Sequence, residues 1–470
     1  MKLIGRVAEQ RELRRYRDSG RPELVAVYGR RRVGKTFLVR QFFADQLAFS
    51  ATGTVGGNRA FQLKAFDAAL THHGWDHAAS ADWFAAFGAL RGFLESRPGD
   101  QRLVVFLDEF PWFDTPRSDF RPAFGHFWND YAATDPRLLL IVCGSATAWI
   151  AQHLLQDRGA LHNRVTGRLR LAPFTLGECE EFFRDRGVVL NRYQQLESFM
   201  IFGGIPYYLD LFDASLGLTQ NVDRLCFSPG APLATEYDDL YRSLIRRPDQ
   251  HLKMVEALAG KTAGLTRDEL IDRAGLAGGG HVSTALAELG QCGFVAKSQD
   301  FARSANGAYY RLVDPFTLFH RRFLGRATDE HFWTNALDDG RRRAWTGLAF
   351  EQVCLAHVPQ IKRRLGVAGV VTTATAWRSR AASPGAQIDL VLDRRDGVIN
   401  LCELKYTAHP YALTRAERDA LERRRSVFAA ETGTRKALHT TMVTTYGLVP
   451  NAQAAGVTAE VTMDDLFEPA

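Results

Sequence analysis

The run Gly29–Thr36, GRRRVGKT, fits the spacing G-x-x-x-x-G-K-[ST], and its residue types suit the cradling of phosphate. Gly29 and Gly34 let the backbone curl until amide N–H groups face an anion. Lys35 then reaches the outer phosphate oxygens and Thr36 offers its hydroxyl to magnesium. A second group, Asp108 and Glu109, follows the apolar run LVVFL. Asp108 is expected to hold magnesium, and Glu109 to orient or deprotonate the attacking water. Ser145, in CGSATAW, closes another apolar run and is expected to sense the γ-phosphate or the water. Arg164 and Arg168, in LHNRVTGRLRLAPF, are candidates for the cation that offsets charge during phosphoryl transfer, or else solvated surface arginines.

Another group lies near the carboxyl end. The segments IDL and CELK place Asp389, Glu403 and Lys405 in the order D…E-x-K, with Gln387 close by and Glu351 on the upstream helix GLAFEQV. Carboxylates so spaced suit one or two magnesium or manganese ions, and Lys405 suits the orientation of a water or a leaving phosphate. Strand alternation puts Glu403 and Lys405 on one face, with Leu404 turned into the core. Glu351 shares a helical stripe with Leu348 and Leu355. It is therefore expected on the core side, where a carboxylate needs a metal or a cation.

The elements around these groups follow from periodicity. LVAVY (24–28), LVVFL (103–107) and LLLIVCG (138–144) are apolar on both faces, as a parallel sheet covered by helices requires. The first meets the Gly-rich turn and then a helical pattern, FLVRQFFADQL, giving strand, loop and helix. Asp108 and Glu109 thus fall at the carboxyl edge of a sheet, where ligands of open α/β folds bind. We expect an α/β P-loop core over residues 1–172 and a helical lid over 173–232, ending in the linker SPGAP. Three helical segments and two alternating ones then suggest a winged-helix domain and connector over 233–330. A second α/β domain of restriction-endonuclease-like type is expected over 331–470. His281, Ser283 and Thr284 at the start of the third helix, with Lys297 and Arg303 in the wing, suit either DNA contact or an arm between domains. The basic runs 341–343, 362–364 and 423–425 suit phosphate tracking or a solvated helix face.

Composition sets the bounds. The 470 residues exceed one compact core, and 46% hydrophobic with 24% charged residues is ordinary for globular domains. A formal charge of +6 is a weak pointer to a polyanion. The six cysteines stand apart with no C-x-x-C pair, the amino terminus has no secretory pattern, and no apolar stretch has the length of a membrane span. A cytoplasmic protein is expected.

Together IGRVAEQREL, GRRRVGKT, LDEFPWF, IVCGSA and FGGIPYYL resemble the archaeal-type ATPases of the AAA+/STAND group. YYRLVDPFTLFHRRFL resembles the segment that joins such an ATPase to a C-terminal nuclease-like domain, and D…E-x-K with Glu351 resembles the PD-(D/E)XK fold. The resemblance implies ATP as the nucleotide, Gly5, Arg6 and the lid's Pro206 near the adenine, Ser145 as the sensor and Arg164 as the arginine finger. The chain departs from the family at the finger, where LHNRVTGR lacks two adjacent arginines, so Arg164 and Arg168 both stay open. A finger used in trans would require a homo-oligomer. The expected protein is an ATP-driven, DNA-directed machine with a magnesium- or manganese-dependent nuclease domain. The alternative is a signalling or assembly switch whose last domain binds DNA or a partner without cutting. A transcription regulator is the third class.

Overall fold

The computed structural model describes residues 2–155, 159, 161–244, 248–261, 264–299, 301, 308–326, 329–337, 339–379 and 385–469. The chain divides into two compact units, Met1–Ala172 and Pro173–Ala470. Arg303 lies outside the described residues.

The first unit is built on a parallel sheet of β1 (Glu23–Tyr28), β2 (Leu47–Thr52), β3 (Leu103–Asp108), β4 (Leu138–Gly144) and β5 (Gly167–Arg170), in the order β2-β3-β4-β1-β5. Every residue of β3 and β4 is buried, because helices cover both faces and leave no solvent side for a polar residue. The edge strand β5 alternates buried and exposed positions, with Leu169 inward and Arg168 and Arg170 outward. On one face, the helices Arg59–His72, Trp83–Glu95 and Phe120–Asp130 pack an aromatic core. Trp83 stands edge-on to Phe66 (5.6 Å) and to Phe120 (4.8 Å), so these rings add a directional contact to their burial. Asn58 and Asp82 cap the first two of these helices, their side chains accepting from the backbone N–H groups of Phe61 and Ala85.

The second unit holds a three-stranded sheet and a five-stranded sheet. In the first, β6 (Leu265–Thr266), β7 (Val295–Gln299) and β8 (Ala308–Leu312) pair antiparallel in the order β6-β8-β7. The helices Pro248–Ala259, Arg267–Ala274 and Gly280–Gln291 pack on it around Leu258, Leu270, Leu286 and Phe294. His281, Ser283 and Thr284 are exposed at the start of the last helix, and Lys297 is exposed on β7.

The five-stranded sheet runs β13-β12-β11-β10-β9, from β9 (Thr372–Arg378), β10 (Gln387–Arg394), β11 (Val398–Lys405), β12 (Ala437–Thr444) and β13 (Ala459–Thr462). The pairs β9/β10 and β10/β11 are antiparallel, whereas β11/β12 and β12/β13 are parallel. Between Ile388 and Val391 the register of β10 against β9 shifts, a bulge that re-aims the intervening side chains, Asp389 among them.

Three side chains tie the segment expected as a lid to the carboxy-terminal elements, so the segments at 173–232 and 331–470 lie in one compact unit. Leu176 N–H donates to His357 Nε2 (3.0 Å). Asp223 accepts from the backbone N–H groups of Trp333 (2.7 Å) and Thr334 (3.0 Å). Arg342, in the basic run 341–343, is buried: it pairs with buried Glu197, donates to the Trp333 carbonyl (3.0 Å) and lies over the Trp333 ring. That run is thus not one solvated face. The linker expected at 228–232 is a compact turn in which Ala231 N–H donates to Ser228 O (2.9 Å), leading into fully buried Leu233.

Candidate functional site

Directly after β1 the chain reverses at Gly29, whose φ is 152°; a Cβ there would sit 2.3 Å from the Leu171 carbonyl oxygen. A backbone atom cannot yield that space, so the position demands glycine. Gly34, at φ 87°, caps the helix Lys35–Phe43, whose N-terminal amide groups point into the loop and favour an anion. Lys35 is buried, and its ammonium donates to the loop's own carbonyls, Gly29 O (3.1 Å) and Arg30 O (2.9 Å). Thr36 Oγ1 donates to the Asp108 carboxylate at 2.9 and 3.1 Å. A hydroxyl and a carboxylate side by side are the hard oxygen donors that magnesium takes beside nucleotide phosphates, so this pair fits that ion.

Glu109 follows on the same strand end in the left-handed region, φ 46° and ψ 42°. Its N–H donates to Asp108 Oδ1 (2.9 Å). From the end of β4, Ser145 Oγ donates to both Glu109 oxygens at 3.0 and 3.1 Å. The sheet order explains this meeting: β4 lies between β1 and β3, so its carboxyl end brings Ser145 between the phosphate loop and the acidic pair. Cys143, fully buried near Asp108, has its thiol pushed up by burial and stays neutral.

The other nucleotide-site expectations fare differently. Arg6 is buried, and its guanidinium donates to the carbonyls of Val33 (3.0 Å) and Ala172 (2.7 Å), bracing the loop from behind. Gly5, at φ 60°, accepts from the Gln10 side chain (2.7 Å). Arg164 and Arg168 are both exposed, and Arg168 donates to the Leu155 carbonyl (3.4 Å). Pro206 opens the helix Pro206–Asp210 of the second unit, where a residue without an N–H costs the helix nothing.

In the second unit, the carboxy-terminal residues are gathered by β10, β11 and the helix Gly340–Ala356. Glu403 is buried. It pairs with Lys405 (2.9 Å) on its own strand face and with Arg424 from the helix Arg415–Thr432. Gln387 donates to Asp389 Oδ1 (3.0 Å). Burial, and then the charge of Asp389, push the Glu351 carboxyl up to about 7. Burial and then Glu403 raise Asp389 above the usual carboxylate range. Burial lowers the guanidinium of Arg311, on β8, and the charges of Glu351 and Asp389 oppose that shift.

Two differences from the sequence stand out. The buried stripe of the helix Gly340–Ala356 runs through Trp345, Ala349, Phe350 and Val353, leaving Leu348 38% exposed and Glu351 half-buried beside that stripe. Leu348 was a misleading guide because it faces an open cavity of about 310 Å³, which Glu351 also lines. Second, among the described residues no group of three His, Cys, Asp or Glu side chains is arranged to hold a metal ion. Arg424 and Lys405 engage Glu403, so Glu351, Asp389 and Glu403 do not fit a metal in this arrangement. Arg424 was expected only as part of the basic run 423–425, on phosphates or on a solvated helix face; its pairing with Glu403 was not foreseen because no spacing rule links it to D…E-x-K.

Phosphate loop, acidic strand end and polar residue on the strand between them, all on one edge of a parallel α/β sheet, match the P-loop ATPase fold. Among known proteins, the chain is similar to the uncharacterised protein MJECL04 of Methanocaldococcus jannaschii, with 23% identity over 416 residues, 86% of this chain and 87% of that one. No protein-family model matches. Among solved structures, the Walker-type ATPase PABY2304 of Pyrococcus abyssi aligns with TM-score 0.48 and 17% identity over 68% of this chain and 96% of its own. The ORC2 protein of Aeropyrum pernix, solved as ADPNP–ADP complexes, aligns with TM-score 0.43 and 16% identity over 68% and 93%. A STAND protein with a tetratricopeptide repeat sensor from Pyrococcus horikoshii aligns with TM-score 0.31 and 14% identity over 77% and 50%. Among the described residues, no helix is long and apolar enough to cross a membrane.

Proposed function

We propose that this protein binds and hydrolyses ATP as an ATPase of the AAA+/STAND type, and that its second unit couples nucleotide state to DNA through a winged-helix segment and a nuclease-like domain. The observation that carries the ATPase reading is the convergence of Lys35, Thr36–Asp108 and Glu109–Ser145 on one sheet edge. Lys35 would move its ammonium from the loop carbonyls to the outer phosphates. Thr36 and Asp108 would hold magnesium, which when bound offsets phosphate charge. Glu109, already fixed by Ser145, would accept a proton from the attacking water or hold it in line. Adenine contacts from Gly5, Arg6 and Pro206, and a finger role for Arg164, belong to this proposal, as do a homo-oligomer and a cytoplasmic location. Phosphate release with magnesium should vanish in Lys35→Ala together with nucleotide binding. Glu109→Gln should keep binding and lose turnover by about 100-fold or more.

One observation favours a second reading for the carboxy-terminal domain. With Glu403 held by Lys405 and Arg424, the motif is complete in residue type yet closed to metal as it stands, which suits DNA or partner binding without cutting. Incubation of linear, circular and single-stranded DNA with magnesium or manganese, with and without ATP, separates the two. Cleavage that Asp389→Ala removes supports the nuclease; intact DNA with ATP turnover preserved supports the switch.

A further inference from the structure

The cavity beside Glu351, about 310 Å³, lies within the second unit, where the helices Pro248–Ala259, Pro315–Phe323 and Gly340–Ala356 meet. Leu312, Leu318, Leu348 and Ala349 give it apolar walls. Arg321, Arg322, Glu351 and Gln352 supply polar lining. Arg321 pairs with Glu256 at 3.4 Å. Among the described residues, the side chains of Arg322, Glu351 and Gln352 make no hydrogen bond or ion pair, although Glu351 and Gln352 are half-buried. Polar groups taken partly out of water without a partner are costly, and a ligand that pairs with them offsets that cost.

These polar groups stand at two ends. The Trp345 ring lies 5.6 Å from that of Phe319 and 5.5 Å from that of Phe323, beside the half of Pro315–Phe323 that carries Arg321 and Arg322. Glu351 and Gln352 follow further along the same helix as Trp345, roughly 9–10 Å away at about 1.5 Å per residue. Two guanidinium groups call for an anion, the apolar middle for a ring system, and a carboxyl beside an amide for an edge that bears N–H donors and an acceptor. A free amino acid does not span the two ends, because it carries both charges on one carbon. The volume is near the low end of small-molecule pockets, roughly 300–1,000 Å³, and so is too small for a folded partner. We propose that this cavity binds a nucleoside monophosphate, with its phosphate on Arg321 and Arg322, its rings against Leu318 and Leu348, and its base edge on Glu351 and Gln352. An occupant there touches three helices at once, as an effector does.

The test is isothermal titration calorimetry of AMP, GMP, CMP and UMP into the full chain carrying Lys35→Ala, which keeps the phosphate loop from competing. At least one of the four should bind. Adding Arg322→Ser, which removes a partner of the anion, or Leu348→Trp, which fills the cavity, should weaken that binding about tenfold or more. Both positions are exposed, and an unchanged thermal unfolding midpoint shows that the variants fold; if Leu348→Trp does not, Arg322→Ser decides. Glu351→Gln replaces an acceptor by a donor and should change the order of preference among the four bases, which a merely structural role would not. Inorganic phosphate at equal concentration should not compete. Binding by none of the four, binding at full strength in the cavity variants, an unchanged order of bases in Glu351→Gln, or displacement by equal phosphate would each overturn the assignment. None of these outcomes bears on ATP turnover by the wild type, so the ATPase reading is tested separately.

Discussion

His357 offers a sharp test of how the second unit is held together. Its side chain is 1% exposed, and both ring nitrogens are used: Nε2 accepts from Leu176 N–H (3.0 Å) and Nδ1 donates to the Val353 carbonyl (2.8 Å). That pattern fits only the neutral ring. A proton on Nε2 would face the Leu176 N–H donor, and burial lowers the imidazole to about 4 despite the opposing Val353 bond and the charge of Glu178. In the unfolded chain the group titrates near 6.5. Between those values the unfolded state binds the extra proton, so the contribution of the neutral ring is present above about 6.5 and is lost as pH falls toward about 4. At about 1.4 kcal/mol per pH unit, the loss between pH 7.5 and 4.5 is about 3 kcal/mol. His357→Gln cannot take up that proton. Urea unfolding of both proteins at pH 7.5 and 4.5, followed by fluorescence of the tryptophans, should show the stability advantage of His357 shrinking by about that amount in acid. A difference between the two proteins that is the same at both pH values would refute the reasoning.

Other predictions follow from single contacts. Gly29→Ala places a Cβ against the Leu171 carbonyl and should weaken binding of a fluorescent ATP analogue sharply, with affinity measured by titration; unchanged affinity would count against the loop geometry. Arg342→Met leaves Glu197 buried without its cation and should cost about 3–5 kcal/mol in denaturant unfolding, whereas Arg342→Met/Glu197→Leu should recover most of that loss. Ser145→Ala removes the hydroxyl that fixes Glu109 and should lower ATP turnover about 10-fold or more at saturating nucleotide with binding retained.

What the sequence revealed and what it hid divide along physical lines. β1, β3 and β4 were legible because a buried parallel strand is a short run of apolar residues, and the phosphate loop because its mechanism fixes glycines, a lysine and a threonine at set intervals. The edge strand β5, whose GRLR alternates, and β2, with Ser50 and Thr52 in its run, lacked that signature. The acidic strand end was legible with its polar neighbour Ser145, but the left-handed turn at Glu109 was not, since nothing in FLDEFPW marks a positive φ at a glutamate. In the second unit, the motif D…E-x-K was visible and its neutralisation was not. Arg424, which pairs with Glu403, comes from a helix 21 residues further along whose docking only tertiary packing defines. Arg342 shows the same limit: its two arginine neighbours made it read as surface, yet its partner Glu197 lies 145 residues away.

The central claim, that Lys35, Asp108 and Glu109 bind and hydrolyse ATP, is tested most directly by measuring ATP binding and phosphate release side by side on wild type, Lys35→Ala and Glu109→Gln with magnesium. The account predicts turnover in the wild type, neither binding nor turnover in Lys35→Ala, and binding without turnover in Glu109→Gln. Phosphate release by both variants at the wild-type rate would contradict it.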